Sequence, residues 1–157
     1  MAQYQDDRHW RVKYRPYMLA VVVALVTTML VAPEKVEGGS MEPTLSEGQI
    51  VVMTKTSYSQ KRGSPALNQV VIMKNNVGGE LYTDNIIGRV SALPGEKVTM
   101  EDGTTITLKA DEFYLLCDNE ADSSMPDSRA LGPVLLKDIR GDAKWVVWPL
   151  KDIGGIK

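Results

Sequence analysis

Residues Gln49–Met73 read QIVVMTKTSYSQKRGSPALNQVVIM and hold two β-branched runs separated by a loop. The runs, Gln49–Thr54 and Gln69–Met73, have the length and the Val/Ile content that are typical of strands. Lys61–Asn68 between them is rich in Gly, Pro and Ser, as loops are. This part of the chain therefore predicts strands joined by turns rather than helices.

The same β character continues to the end of the chain. Asp102-Gly103 between two short runs is a strong hairpin signal, and Ala121–Arg129 is predicted to be an irregular loop. The further predicted strands are Leu81–Val90, Lys97–Met100, Thr104–Leu108, Glu112–Cys117 and Lys144–Trp148. No useful helical period or internal repeat follows residue 32, so the predicted fold is mainly β, a single antiparallel domain over residues 33–157.

An uncharged apolar segment, Tyr17–Ala32 (YMLAVVVALVTTMLVA), precedes the β-rich part. As a helix it would be about 24 Å long against a hydrocarbon core of about 30 Å, a difference that flanking Arg15 and Trp10 can make up by snorkelling. A cleaved secretory signal and a buried core helix are the rival interpretations. The missing small-x-small pattern before Pro33 and the absence of a polar face favour an uncleaved membrane anchor over residues 17–32.

The charges on either side of this segment predict its orientation. The N-terminal residues 1–16 contain four basic side chains, Arg8, Arg11, Lys13 and Arg15, against Asp6 and Asp7. Basic residues flanking a membrane span remain on its cytoplasmic side. We therefore expect a single-pass membrane protein with residues 1–16 in the cytoplasm and residues 33–157 outside it.

Composition excludes several classes of protein. The chain has 157 residues and a net charge of −2, and it lacks a basic patch interleaved with aromatics, so nucleic acid is not an expected partner. Its single cysteine, Cys117, excludes an intramolecular disulfide and predicts a small buried side chain. No metal or cofactor is expected.

A candidate nucleophile lies shortly after the apolar segment, in Ser40-Met41-Glu42-Pro43-Thr44-Leu45. A serine hydroxyl needs a neighbouring base to remove its proton and donors to hold the oxyanion that forms. The only histidine, His9, is predicted to lie across the bilayer from Ser40, which excludes a Ser-His-Asp triad within one chain. Serine chemistry here would need a lysine whose pKa is lowered by burial.

Four short motifs, in the same order, resemble those of type I signal peptidases, the S26 serine peptidases of bacterial membranes. The matching segments are Gly39–Leu45 (GSMEPTL), Gly48–Lys55 (GQIVVMTK), Gly88–Glu96 (GRVSALPGE), and Cys117-Asp118-Asn119 with Asp127-Ser128-Arg129. The resemblance implies a signal-peptidase-type antiparallel β-domain on one anchor helix. It also implies that Ser40 is the nucleophile and that its own backbone N–H is the main oxyanion donor.

The resemblance assigns supporting roles to further residues. Met41 and Pro43 would shape the turn and the substrate edge. Charged residues would brace the site in pairs, and one serine would lie near the base. These positions are Arg89, Asp118, Asp127 and Arg129 for the charges, and either Ser123 or Ser124 for the serine.

Three positions depart from the family pattern. Gly88 stands where the family has its lysine base, and Cys117 stands where it has a glycine. The spacing from Asp118 to Asp127 is also longer than usual, which leaves Ser123 and Ser124 as alternatives. A substitute base from Lys74 or Lys97 is an alternative to a missing one.

Two functions follow from these residues. The first is a membrane-anchored serine endopeptidase that cuts secreted preproteins after a small-x-small motif, with activity in doubt because Gly88 leaves the base position vacant. The second is a non-catalytic accessory protein or chaperone of Gram-positive pilus assembly, a pseudoenzyme that binds an extended peptide, such as part of a pilin, by strand addition.

Overall fold

The computed structural model describes residues 8–55, 58, 63–74, 85–121 and 126–156. It confirms a mainly antiparallel β fold with one N-terminal apolar helix. The elements in chain order are α1 (Arg8–Leu30), β1 (Val31–Lys35), β2 (Ile50–Thr54), β3 (Val70–Lys74), β4 (Asn85–Ala92), β5 (Lys97–Thr99), β6 (Thr105–Thr107), β7 (Glu112–Leu116), α2 (Ser128–Leu131), β8 (Val134–Leu135), β9 (Ile139–Trp148) and β10 (Gly154–Gly155). Single-turn 3₁₀ helices at Leu136–Asp138 and Leu150–Asp152 precede and follow β9.

Helix α1 stands away from the β-domain. Its segment Lys13–Leu30 is long and apolar enough to cross a membrane, and none of it is buried against the rest of the chain. The hydroxyls of Thr27 and Thr28 donate to the carbonyls of Val23 and Leu25 within the helix. Such internal pairing is what a helix in hydrocarbon requires.

The helix passes directly into the sheet without a linker. Helix α1 stops at Leu30, so the last two residues of the apolar segment 17–32 already belong to β1. Strand β2 imposes this change: it pairs with β1 from Val31 onward, and the N–H of Lys55 donates to the Leu30 carbonyl at 2.8 Å. Lys55 Nζ also donates to the Thr28 carbonyl at 3.1 Å, which fixes the end of the helix to the β-domain.

One large sheet has the strand order β1-β2-β9-β3-β4-β7-β8, and β10 is added to β9. All neighbouring strands are antiparallel, so β1 and β4, four steps apart, run in the same direction. The sheet curls into a half-barrel, which brings these two strands towards each other. A hydrogen bond between the side chains of Glu34 in β1 and Asn85 in β4 joins them.

Apolar side chains pack on both faces of this sheet. The first cluster comprises Val36, Met41, Leu45, Val51, Met53, Val70, Ile72, Ile87, Ala143 and Val146. The second comprises Val71, Met73, Ile86, Val90, Phe113, Leu115, Leu136 and Ile139. Consecutive residues of β3 and β4 alternate between the clusters, as strand geometry requires.

The predicted strands are found, with differences at their ends. Strand β9 is longer than the predicted Lys144–Trp148: it begins at Ile139, and its pairing is irregular at two points with β2 and at one point with β3. Gly141 allows this: a Cβ there would lie 2.0 Å from the Thr54 carbonyl oxygen. Sequence pattern alone does not predict the first half of this strand, because Gly141 and Asp142 interrupt it.

Two other predictions need comment. Strand β4 covers Asn85–Ala92, and residues 81–84 of the predicted Leu81–Val90 lie outside the described residues. The predicted loop Ala121–Arg129 is wrong at its end, since helix α2 starts at Ser128. Asp127 caps that helix by accepting the Arg129 N–H at 2.9 Å, a local signal that favours helix over loop.

Candidate active site

Ser40 lies in a turn that follows β1 and is only 6% exposed. Its carbonyl accepts the N–H of Asn119 at 2.8 Å, and the Asn119 side chain donates to the Gly39 carbonyl at 3.0 Å. The segment that carries Ser40 is thus held against the loop that follows β7. Asn119 was part of a recognised motif, but its role as a backbone clamp was not predicted.

The two residues predicted to shape this turn lie in different surroundings. Met41 is almost completely buried in the first apolar cluster, so its side chain packs in the core. Pro43 follows a cis peptide bond and lines an open cavity of about 590 Å³ together with Thr44, Gln49 and Asp152. Burial of Met41 and of Leu45 anchors both ends of the turn and leaves the Ser40 backbone fixed.

Gly88 lies in β4, opposite Val71 of β3. On the other side of β4, Arg89 pairs with Leu116 and Val90 with Leu115, so continuing the register by one residue places Gly88 opposite Cys117. Residues directly opposite each other in an antiparallel pair have their side chains on the same face. A Cβ at Gly88 would lie 3.4 Å from Leu115 Cβ, which is ordinary contact.

The hydroxyl of Ser40 is hydrogen-bonded to the thiol of Cys117. Burial raises the pKa of that thiol, and the nearby Asp127 carboxylate raises it further, against the lowering effect of the Ser40 bond. Cys117 is therefore a neutral thiol at neutral pH and is not a general base. The prediction of a small buried cysteine is confirmed, whereas its contact with Ser40 was not foreseen.

Arg89 and Asp118 form a bidentate ion pair beside this site. Arg89 Nε donates to Asp118 Oδ1 at 2.8 Å and Nη2 donates to Oδ2 at 2.6 Å, while the Thr44 hydroxyl donates to Oδ2 at 2.5 Å. The hydrogen bonds from Arg89, followed by that from Thr44, hold the pKa of Asp118 below its usual value despite burial. Thr44 thereby ties the Ser40 turn to β4 and to the loop after β7.

Asp127 and Arg129 form a second ion pair, at the start of α2. Arg129 Nη2 donates to Asp127 Oδ2 at 2.7 Å, and the same oxygen accepts the Cys117 N–H at 3.2 Å. Although burial opposes ionisation, the hydrogen bonds from Arg129 and Cys117 hold the pKa of Asp127 below its usual value. Between the two charged residues, the buried Ser128 hydroxyl accepts the N–H of Leu115 at 3.0 Å.

The two lysines considered as substitute bases, Lys74 and Lys97, lie in strands away from the β4 position of Gly88. Lys74 pairs with Asn85 at the far end of the β3–β4 ladder, three residues from the Val71–Gly88 pair, and its side chain is exposed. Lys97 begins β5, in the separate two-stranded sheet. Neither is positioned on the face that Gly88 and Cys117 share, so the geometry does not favour either as a substitute base.

Some candidate residues cannot be placed. Ser123 and Ser124 lie outside the described residues. The backbone of His9 belongs to α1, before the apolar window that begins at Lys13. In the described part of the chain, no three His, Cys, Asp or Glu side chains are grouped as a metal site would need.

Strand β1 and the first half of β4 are not paired with each other in the described residues, and we call the space between their edges the gap. Strand β7 pairs with β4 only from Arg89 onward, so residues 85–87 have a strand on one edge, that of β3, within the described ranges. Within the described ranges, strand β1 likewise has a neighbouring strand, β2, on one edge only. Val36 and Ile87, from the two sides of this gap, are buried in the same apolar cluster. Two parallel strand edges that flank such a gap can each pair with an inserted extended peptide.

The chain is similar in sequence to one family of known proteins. The sequence profile described as "Signal peptidase, peptidase S26" matches residues 10–107. The chain is 31% identical over 172 residues to "Signal peptidase I" of Bacillus amyloliquefaciens, covering 87% of this chain and 86% of that protein. It is 32% identical over 97 residues to "Signal peptidase IB" of Staphylococcus aureus strains COL and Mu50, covering 60% of this chain and 47% of those proteins.

Proposed function

The chain belongs to the signal peptidase family, peptidase S26, and from this premise we propose that it binds an extended segment of a secreted preprotein without hydrolysing it efficiently. The observation that carries the proposal is the surroundings of Ser40. Its hydroxyl is hydrogen-bonded to a neutral thiol, and the residue opposite that thiol, Gly88, has no side chain. The family supports signal peptide processing as the general role; the loss of catalysis is our proposal for this chain.

The missing base decides between binding and hydrolysis. A base positioned beside a serine contributes about 10²–10⁴-fold to the rate, and removing one member of a catalytic pair usually removes most of the benefit of the other. Cys117 cannot replace it, because burial favours the protonated thiol. Ser40 without a base therefore supports at most slow turnover.

Binding depends on parts of the site that are intact. The Ser40 turn is held by Asn119, and the Arg89–Asp118 pair is bonded to Thr44 of that turn. Beside it, the edges of β1 and β4 flank the gap. A peptide inserted there as a strand would gain backbone hydrogen bonds from both sides. Its own side chains would alternate between the two faces of the sheet.

The helix α1 supplies the membrane association. We propose that it crosses the bacterial cell membrane once, with the basic residues before Pro16 on the cytoplasmic side. Because β1 follows α1 without a linker, the gap between β1 and β4 would lie close to the outer membrane surface. Peptides that emerge from the membrane, whether of a preprotein or a pilin, are the occupants that such a position favours.

A second candidate function is serine endopeptidase activity. The retained Ser40 and the two intact ion pairs, Arg89–Asp118 and Asp127–Arg129, favour it. It would need a base from another residue or another protein. The accessory role in pilus assembly shares the binding step with our proposal and differs only in the occupant, so a pilin segment is one arm of the test.

The test uses the detergent-solubilised full chain with fluorescent peptides from a preprotein signal region and from a pilin. We expect wild type and Ser40→Ala to bind with the same dissociation constant and neither to release a cleavage product. A matched peptide with alternating prolines lacks the N–H donors that strand pairing needs, and it should bind at least about tenfold more weakly. Cleavage by the wild type that Ser40→Ala abolishes would overturn the proposal in favour of the endopeptidase, and equal binding of the proline peptide would exclude strand addition.

A further inference from the structure

Three side chains from three strands form a bridge across the gap between β1 and β4. Asn85, the first residue of β4, donates through Nδ2 to the carboxylate of Glu34 in β1. Its Oδ1 accepts a hydrogen bond from Arg140 Nη1 of β9 at 2.8 Å. Glu34 and Asn85 are both half-buried, whereas Arg140 is exposed. The amide of Asn85 therefore uses a donor towards one strand and its acceptor towards the other, which fixes its orientation.

The bridge crosses the gap at the end remote from Ser40. Asn85 precedes Gly88 by three residues in β4, a distance of about 10 Å along a strand. Glu34 lies in the paired part of β1, before the turn that carries Ser40. Since β1 and β4 run in the same direction, the gap is bounded by the Ser40 turn at one end and by the Glu34–Asn85 bond at the other.

We propose that the Glu34–Asn85 bond is an end stop that limits the gap to about three residues of extended peptide. This inference rests on the proposed function, because it assumes that a peptide occupies the gap. A longer segment has to leave the gap at the bridge or break the bond. Residues of the peptide beyond the stop then contribute no strand pairing to the affinity. The pair Glu34 and Asn85 thus determines specificity by length, and each occupant is recognised through a short extended stretch.

The charge of the bridge strengthens this selection. Breaking the bond leaves the half-buried Glu34 carboxylate without the Asn85 donor, and a buried acceptor without a donor is costly. An inserted peptide compensates only where one of its N–H or O–H groups reaches Glu34. Apolar and acidic side chains add no such donor to the backbone, so they favour an intact bridge.

The test measures affinity against peptide length in the detergent-solubilised full chain. The probes are an acetylated and amidated alanine–leucine peptide of about four residues and two peptides of roughly eight residues that extend it at either end. We expect all three to bind the wild type with similar dissociation constants. In Asn85→Ala and Glu34→Ala, one of the long peptides should bind about tenfold more tightly than the short one, through added strand pairing.

Two control variants separate the bridge from general effects. Glu34→Gln keeps an acceptor for Asn85 and should behave as the wild type. Glu47→Ala removes the same charge from an exposed position and should leave all affinities unchanged. Length dependence already present in the wild type, or its absence in both alanine variants, would overturn the end stop while leaving peptide binding intact. If the short peptide binds no variant at all, the proposed function is wrong and the inference with it.

Discussion

The thiol of Cys117, the residue that follows β7, is hydrogen-bonded to the Ser40 hydroxyl. Cys117 lies opposite Gly88 when the β4–β7 register is continued by one residue. The two departures from the family motifs, a glycine for the lysine and a cysteine for a glycine, are thus neighbours on one face of the sheet. Relative to the family motifs, Gly88 removes a side chain and Cys117 adds one.

This relationship predicts that the two positions must be changed together to obtain a peptidase. A lysine side chain fits at position 88, because its Cβ would lie 3.4 Å from Leu115 Cβ, an ordinary contact distance. Burial would lower the pKa of its amine, as a general base requires. The thiol would still compete for the Ser40 hydroxyl by roughly 1 kcal/mol. We expect Gly88→Lys to cleave preprotein slowly and Gly88→Lys with Cys117→Gly to cleave about tenfold faster. Initial rates of product formation by the purified variants measure this.

Ser40→Ala in the double variant is the control and should abolish cleavage. Cys117→Gly alone should remain inactive, because it frees the hydroxyl without supplying a base. Equal rates for Gly88→Lys with and without the second substitution would show that the thiol does not compete.

Much of the fold could be predicted because it depends on local pattern. The β-branched runs at β2 and β3 and the Asp102-Gly103 turn carry their own signals, and the structure contains the corresponding strands and hairpin. The transition at Leu30 was not predictable in this way, since Val31 and Ala32 are apolar enough for the helix and join β1 only because β2 lies beside them. Pairing between distant segments overrode local propensity there.

In the candidate site, too, local motifs were predictable and contacts between distant segments were not. Motifs located Ser40, Gly88 and the charged residues in sequence, and two expected ion pairs are formed. The Ser40–Cys117 bond could not be foreseen, because it depends on the β4–β7 register and on how the Ser40 turn is clamped. Thr44 was likewise visible only as part of a motif, and its bond to Asp118 joins segments 74 residues apart in the chain.

The ion pair of Asp118 should stop contributing to the free energy of unfolding in acid. Hydrogen bonds from Arg89 and Thr44 lower its pKa in the folded protein, so its stabilisation is complete above the unfolded pKa of about 3.9 and is lost as pH falls through the lower, folded value. We expect Asp118→Asn to reduce the free energy of unfolding at pH 7 by about 1–3 kcal/mol. The deficit should shrink as pH falls from about 4 through the lower folded pKa, because wild-type Asp118 becomes protonated over that range. Urea unfolding at neutral and acid pH measures both, with the exposed Asp111→Asn as the matched control. A deficit that persists unchanged in acid would exclude the ion pair as its source.

Asp142 predicts the opposite behaviour. This residue of β9 is 4% exposed, and its Oδ1 is buried with no hydrogen-bond partner among the described residues. Burial raises the pKa of this carboxyl more than Lys144, at 3.6 Å, lowers it. The ionised form therefore costs stability at neutral pH, and the cost disappears below the unfolded pKa of about 3.9. We expect Asp142→Asn to raise the unfolding midpoint at pH 7 and to match the wild type in acid.

Thermal unfolding followed by circular dichroism over a pH series tests this expectation. Glu101→Gln, which removes a charge from an exposed turn, should change the midpoint little at any pH. A lower midpoint for Asp142→Asn at pH 7 would mean that the attraction of Lys144 outweighs the cost of burial.

Ser128 predicts that the face carrying Gly88 depends on one hydroxyl in α2. The Ser128 side chain is fully buried, and its Oγ accepts the N–H of Leu115 at 3.0 Å. Ser128→Ala would leave that N–H buried without an acceptor, so we expect a loss of about 1–3 kcal/mol in the free energy of unfolding. Ser91→Ala, at an exposed position of β4, should stay within about 0.5 kcal/mol of the wild type.

Because Leu115 is the residue against which a Cβ at 88 would pack, Ser128→Ala should also slow cleavage by the Gly88→Lys and Cys117→Gly double variant. A stability equal to that of Ser91→Ala would show that Leu115 finds another acceptor and that α2 does not support this face.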